Sequence, residues 1–255
     1  MDDSIAYGIL VATVVIFLLV MGIALVIALA RKQHISHELK VSKVELASLR
    51  AQMNPHFIFN CLKSIKILTE QKNNEEATIY LGKFSKLMRN ILEQSRDEKS
   101  VLSKELETLR LYIEMESLRI KDKMIWEIQV EEGLDIDFIK IPSLLIQPYV
   151  ENAIWHGIMY LEAQGQLTIT LKMEPQSKAL IIEVLDNGVG RQKSALLNAN
   201  QMNKPQPLGT KINQERIELI NLNAETNTQV ETSDLMDGNN KVSGTKVKIQ
   251  FNLKS

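Results

Sequence analysis

Five short stretches of this sequence carry residue types that could do chemistry. The first is Gln52-Met53-Asn54-Pro55-His56-Phe57-Ile58-Phe59-Asn60, which sets a histidine after a helix-breaking proline. A neutral imidazole is a good nucleophile near physiological pH. Alone, such a histidine also reads as a surface or packing residue. The second is Glu151-Asn152-Ala153-Ile154-Trp155-His156-Gly157, where Glu151, Asn152 and His156 interrupt an otherwise apolar run. Buried without partners they would cost a few kcal/mol, so they should be paired or line a cavity. An asparagine oxygen suits a hard cation such as Mg²⁺. The third is Asp186-Asn187-Gly188-Val189-Gly190. A carboxylate at a strand end can accept hydrogen bonds from a base amine, and glycines let the backbone approach a ligand closely; the same D-N-G-x-G pattern is also a common turn. Leu208-Gly209-Thr210 opens a helical pattern and so offers a phosphate site. Gly244-Thr245, at the last strand, is the fifth; it and the Gly209 stretch are each weak signals alone.

These residues need elements to position them. Residues 34–53 show helical spacing in Ile35, Leu39, Leu46, Leu49 and Met53, as in a short coiled-coil seam. Pro55 predicts a kink or helix start, with helix over 57–69. A polar turn at Asn73-Asn74 leads to a helix over 75–94, with Leu81, Phe84, Leu87, Met88, Ile91 and Leu92 as one apolar stripe. Two helices joined by a short turn make a helical hairpin, and two such hairpins make a four-helix bundle. A third helix, capped by Ser103, is expected over 103–119. Beyond it, strands are expected at 125–130, 166–173, 179–185, 229–233 and 242–253, and a buried helix at 142–160. The stretch 186–207 reads as loop, 212–222 as helix, and Asp237-Gly238-Asn239-Asn240 as a polar loop. Strands mixed with helices predict an α/β sandwich for 101–255.

The N-terminal end differs from all of this. No charged side chain occurs from 5 to 30, a length that spans a bilayer as a helix. Asp2 and Asp3 precede the run, while Arg31, Lys32, Lys40 and Lys43 follow it. The positive-inside rule then sets the N-terminus outside and the rest in the cytoplasm, with only residues 1–4 beyond the bilayer. An acidic start and a long apolar run argue against a cleaved signal peptide. His34 and His37 sit among lysines and read as solvated. The totals of 30 Lys+Arg and 31 Asp+Glu balance, so charge gives no reason to expect direct nucleic-acid binding. Cys61, the single cysteine, cannot form an intramolecular disulfide and reads as a small buried hydrophobe.

The order and spacing of the boxes resemble the GHKL-type ATP-binding domain (Bergerat fold) shared by histidine kinases, gyrase and the heat-shock chaperone ATPases. The stretch around His56 is similar to the phosphoacceptor signature of LytS-like sensor histidine kinases, and the resemblance covers about 45–253. It implies that His56 takes the γ-phosphate of ATP and that Asn152 coordinates Mg²⁺ on the triphosphate, flanked by Glu151, His156 and Gly157. It implies that Asp186 recognises adenine, that Gly188 and Gly190 are the glycines of its box, and that Gly209 is the hinge of the nucleotide lid. It further implies a homodimer, with a dimerisation and phosphotransfer region over 31–100 and a catalytic domain over 101–255; the apolar run, and not the resemblance, adds the transmembrane helix at 5–30 that would anchor it in a membrane. The partner would be a separate response regulator, whose receiver domain carries a LytTR-type DNA-binding output.

Two departures stand out. Phe57 follows the acceptor, where many histidine kinases have an acidic residue, so no general base is identified; Asn60 and Gln52 could orient the ring. In the second glycine-rich box, Pro207-Leu208-Gly209-Thr210-Lys211-Ile212 replaces the first glycine and the asparagine of G-x-G-L-x-N. That erosion motivates an alternative, a degenerate membrane scaffold that binds nucleotide or a partner without phosphotransfer. A membrane-tethered ATPase of the chaperone type would leave the His56 motif unexplained.

Overall fold

The computed structural model describes residues 55–120, 123–199 and 228–252, together with Met21, Glu215, Ile217, Glu218 and Asn221. The chain divides into two units, Met1–Leu46 and Ala47–Ser255, and apart from Met21 every described residue belongs to the second. Among the described residues no helix is long and apolar enough to cross a membrane. The expected membrane segment 5–30 lies outside them except for Met21, as do the whole of the expected 34–53 helix and Gly209.

Helix α1 is described from Pro55 to Glu70. It closes with the Asn73 and Lys72 N–H groups donating to Leu68 and Thr69 carbonyls, with Lys72 left-handed at φ 58°. Asn73 then caps α2, Asn74–Gln94, by accepting from the Glu76 N–H. The single apolar stripe expected on α2 splits in two. Leu87 and Ile91 are buried with Ala77 and Tyr80, whereas Leu81 and Leu92 are exposed. Six apolar positions span more of a helix circumference than one neighbouring helix can cover.

Strand β1, Lys99–Val101, leads directly into α3, Leu102–Arg119. Ser103 is not its cap. The Leu102 and Ser103 N–H groups donate to the Ile139 and Ile136 carbonyls, so a neighbouring loop satisfies them. Strand β2 is Met124–Val130, and β3, Lys140–Pro142, pairs antiparallel with β1. The expected helix at 142–160 is instead four pieces: a turn at 143–146, α4 at Gln147–Asn152, a π-helical turn at Ala153–Gly157 and a 3₁₀ turn at Ile158–Tyr160.

Strands β4, Gly165–Glu174, β5, Ala179–Asp186, β6, Thr228–Met236, and β7, Val242–Asn252, complete a five-stranded sheet in the order β2-β4-β5-β7-β6. Only β2 and β4 run parallel. Side chains alternate across a strand, so Leu180, Ile182, Val184 and Asp186 share one face. Leu167, Ile169 and Leu171 lie beside them on β4, and Thr245, Val247, Ile249 and Phe251 on β7. That face is buried under the helices, in one apolar core reaching from Phe57 to Phe251. The other face carries Thr168, Thr170, Lys172, Glu183, Lys246 and Lys248, half-buried or exposed, with Glu183 bridging Lys172 and Lys246. This is a two-layer α/β arrangement.

Part of the stretch expected to be loop, 186–207, is helical: α5 covers Arg191–Ala199, with Ser194 buried. Its polar composition hides a helix that buries little. In the expected 212–222 helix, the described residues Glu215, Ile217, Glu218 and Asn221 are helical. Asn221 exchanges two 2.8 Å hydrogen bonds with the backbone of Thr228 at the start of β6.

Candidate nucleotide and phosphotransfer site

Asp186 ends β5 on the core-facing side of the sheet, so its carboxylate is buried at the edge of the helix layer. It accepts a 2.8 Å hydrogen bond from the Gly188 N–H and another from the backbone of Thr245, its partner on β7. Burial pushes its carboxyl up to about 6; those two bonds oppose the rise and the charge of Asp234 adds to it. The loop behind it is pinned on both sides. Asn187 exchanges hydrogen bonds with the backbone of Gln166 and donates to the Gln164 carbonyl. Arg191 clasps Asp234 of β6 through Nε and a terminal nitrogen, both at 3.0 Å.

Gly157, the last residue of the π-helical turn, meets this loop backbone to backbone. A Cβ on Gly157 would lie 2.7 Å from Asp186 Oδ1, and one on Gly188 would lie 2.4 Å from Gly157 Cα. A side chain at Gly157 would displace the Asp186 carboxylate, and one at Gly188 would displace the Gly157 backbone. The Val189 N–H also donates to the Gly157 carbonyl at 3.4 Å. Gly190 ends the box at φ 76°, a left-handed conformation that glycine adopts freely. Gly157, Asp186, Gly188 and Gly190 therefore form one junction. Asn152, Glu151 and His156 lie on the short helix and π turn leading into it, each half-buried, and Glu151 accepts from Gln147 at 2.9 Å. Single π turns are frequent at functional sites.

Two contacts with residues outside the sequence motifs hold this helix in place. Glu105 of α3 is buried, and its carboxylate accepts from the Leu144 N–H at 2.8 Å and the Ile146 N–H at 3.2 Å. Leu144 is left-handed at φ 54°, a conformation that persists only where the surroundings impose it. No spacing in the sequence signals this contact, because its acceptor meets backbone rather than a matching side chain. The second contact is made by Trp155, whose indole N–H donates to Tyr112 and whose ring lies under the Arg119 guanidinium, 4.2 Å from its centroid.

His56 is the second residue of α1; its side chain lies outside the described part, but Phe57 beside it packs on Tyr112 with ring centroids 5.1 Å apart. Among the described residues no three His, Cys, Asp or Glu side chains converge as a metal cage. A Mg²⁺ carried largely by phosphate oxygens and water would need no such cage, and the half-buried Asn152 would offer it one neutral oxygen.

Residues 44–124 match the family model described as histidine kinase. The sensor histidine kinase YpdA of Escherichia coli (strain K12) is 32% identical over 185 residues, covering 69% of this chain and 32% of that protein. The sensor protein LytS of Oceanobacillus iheyensis is 34% identical over 156 residues, covering 61% of this chain and 26% of that protein. The chain belongs to the LytS-like sensor histidine kinases. It spans about a third or less of the length of these two relatives. A solved histidine kinase domain from a blue-light activated kinase of Erythrobacter litoralis superposes over 83% of this chain and 96% of that one, at 13% identity and a TM-score of 0.43. That overlap is too loose to bear on the site. Within this LytS-like chain the His56 motif falls inside the family match, whereas the junction around Asp186 lies beyond it and rests on its own geometry.

Proposed function

We propose that the chain is the kinase part of a two-component sensor, which phosphorylates its own His56 from Mg²⁺-ATP and passes the phosphoryl group to an aspartate of a separate response regulator. The observation that carries the reading is the junction of Gly157 and Gly188 around a buried carboxylate. Two motifs about thirty residues apart in sequence meet there with no room for a side chain between them, leaving Asp186 to face a flat polar ligand such as a purine. At pH 7 a carboxyl with a pKa of about 6 is mostly ionised, so Asp186 accepts a hydrogen bond from the base amine.

Asn152 would hold Mg²⁺ through its amide oxygen, a neutral ligand that leaves the metal's charge to offset the triphosphate. Bound there, the metal supplies electrostatic stabilisation of the phosphoryl group in transfer. A neutral ring nitrogen of His56 attacks the γ-phosphorus; an N–P bond forms, the bond to the bridging oxygen breaks, and the ring proton passes to solvent. The regulator's carboxylate then takes the phosphoryl group and His56 returns to its free form. Gly209 would hinge the lid over the nucleotide, and Glu151, His156 and Gly190 would line the site. The exposed apolar side chains of α1 and α2 suit a homodimer, and 5–30 a single-pass anchor in a bacterial cytoplasmic membrane with the kinase inside. A LytTR-type output would belong to the regulator.

Labelling the full chain with γ-labelled ATP and Mg²⁺ tests this. Acid-labile, alkali-stable label that disappears in His56→Ala, with nucleotide binding retained, is expected. Label that persists in His56→Ala would move the acceptor elsewhere. Signalling that survives Asn152→Ala would favour the scaffold.

A further inference from the structure

Tyr112, Glu116 and Arg119 occur at four- and three-residue spacing, so they share one face of α3. Each touches something different. Tyr112 is buried between the Phe57 ring of α1 and the indole N–H of Trp155, 3.3 Å from its hydroxyl. Glu116 is 1% exposed and holds Arg119 through Nε at 2.8 Å and a terminal nitrogen at 2.6 Å. Arg119 in turn lies over Trp155 and donates to Met159 Sδ at 3.5 Å. Below them, Tyr80 of α2 donates to Cys61 of α1 at 3.7 Å, and both groups feel the Glu116 charge. The Trp155 indole also acts on the Glu116 carboxylate and favours its charged form, although the second carboxylate oxygen has no well-formed hydrogen bond among the described residues.

A buried ion pair with one oxygen poorly satisfied is a poor way to gain stability, since desolvation offsets most of the attraction and apolar side chains of similar volume do as well. What it provides is direction. A guanidinium fixed by two bonds presents a flat face at one place, and an indole stacks on it in one orientation. Trp155 is three residues after Asn152 on the same short helical segment, and Phe57 is the residue after His56. One face of α3 therefore touches the acceptor helix at one end and the Asn152 segment at the other.

We propose that Glu116 and Arg119 are positioning residues for phosphotransfer, fixing the Asn152 segment through Trp155 in register with the helix that carries His56. This rests on the proposed kinase reading. Near-attack geometry is sensitive to displacements of about 1 Å, which cost roughly a hundredfold in rate, whereas nucleotide contacts at Asp186 lie on the sheet and do not run through Arg119.

The test uses the full chain as Arg119→Met, Arg119→Lys and Glu116→Gln. Three quantities are read: the initial rate of acid-labile labelling at saturating ATP, the affinity for a non-hydrolysable ATP analogue without Mg²⁺, which reads the Asp186 contacts apart from Asn152, and the thermal midpoint. Trp155 emission is followed in a Trp126→Phe background. Arg119→Met should lose at least about tenfold in labelling rate with analogue affinity unchanged, and Trp155 should become more accessible to acrylamide. Arg119→Lys, which keeps the charge and most of the packing but not the two-bond fork, should recover only part of the rate. Labelling of Arg119→Met at the wild-type rate overturns the inference alone. Rate, affinity and thermal midpoint falling together in all three variants would make the pair merely structural and also overturn it. No label on the wild-type chain overturns the kinase reading and this inference with it.

Discussion

The helix pair α1 and α2 and the sheet-backed site differ in what closes them. At the sheet end, contacts are made by backbone: Gly157 against Gly188, and Gly244 against the Asp186 carbonyl, which a Cβ would approach to 1.9 Å. Around the helix pair they are made by long side chains, as in the Lys83–Glu114 and Lys86–Glu107 bridges to α3. The apolar surface divides the same way. The inner face of the sheet is covered within one chain, whereas Phe59 is 70% exposed on α1 and Leu62, Ile79, Leu81 and Leu92 are exposed with it. Backbone junctions admit no added atom but hold a ligand site rigidly. Side-chain contacts and open apolar surface give way more easily, and suit a region that meets partners.

The sharpest way to break this contrast is a single methyl group at the sheet end. Gly188→Ala should force Gly157 and Asp186 apart, costing several kcal/mol of stability, on the order of the upper range for overpacking, and abolishing measurable nucleotide binding. Calorimetric titration with an ATP analogue checks it; binding within threefold of wild type would mean that the junction yields.

Asp186→Asn comes next in size. The carboxyl's folded pKa, about 6, lies above its ordinary 3.8. The folded chain therefore holds the proton more tightly than the unfolded one, and stability falls as pH rises from about 4 to about 6. By neutral pH the cost reaches up to about 3 kcal/mol. Asparagine does not titrate, so the variant should match the wild type near pH 4 and exceed it by a widening margin toward pH 7, while losing affinity for adenine nucleotides. Denaturant midpoints across that range measure the margin. In the wild type, nucleotide affinity should rise with pH through about 6. A margin that stays constant would remove burial as the cause.

A smaller effect is expected on the helix pair. If the exposed apolar surface meets a second copy, Phe59→Ser should weaken the dimer by about 2 kcal/mol, roughly thirtyfold in dissociation constant. The thermal midpoint of the isolated monomer should not change. Sedimentation of the full chain in detergent separates the two. An unaltered dimer would put the interface on another face.

The sheet was the most legible part of the sequence, because alternation survives wherever one face is buried. Strands β4 and β5 begin and end within a residue of their expected limits, and Asp186 falls where period two sets it. The turn at Asn73 was legible from its polar residues. The three-residue strands β1 and β3 were not, since each pairs across some forty residues and is too short to show a period. The run 142–160 misled for the opposite reason: uniform apolarity conceals a turn that the Glu105 carboxylate imposes from another helix. For the site, residue types in the motifs named Asp186, Gly157 and Gly188, but their supports did not show. Glu105 binds backbone, and Arg119 binds the flat face of Trp155, so neither leaves a matching partner in the sequence.

The smallest change returns to the contrast with the same methyl group. Gly82 sits within α2, and a Cβ there would meet nothing within 4 Å. Glycine in a helix interior costs roughly 0.5–1 kcal/mol relative to alanine, through the backbone freedom it gives up on folding. Gly82→Ala should therefore stabilise the chain by about that amount, raising the thermal midpoint by a degree or two, with labelling of His56 unchanged. The chemistry is identical to Gly188→Ala and the expected sign is opposite, because one Cβ enters solvent and the other a backbone junction. A loss of stability at Gly82 would mean that this stretch of α2 is covered after all, with a second copy of the chain the nearest candidate, and the helix pair would then be as tightly closed as the sheet end.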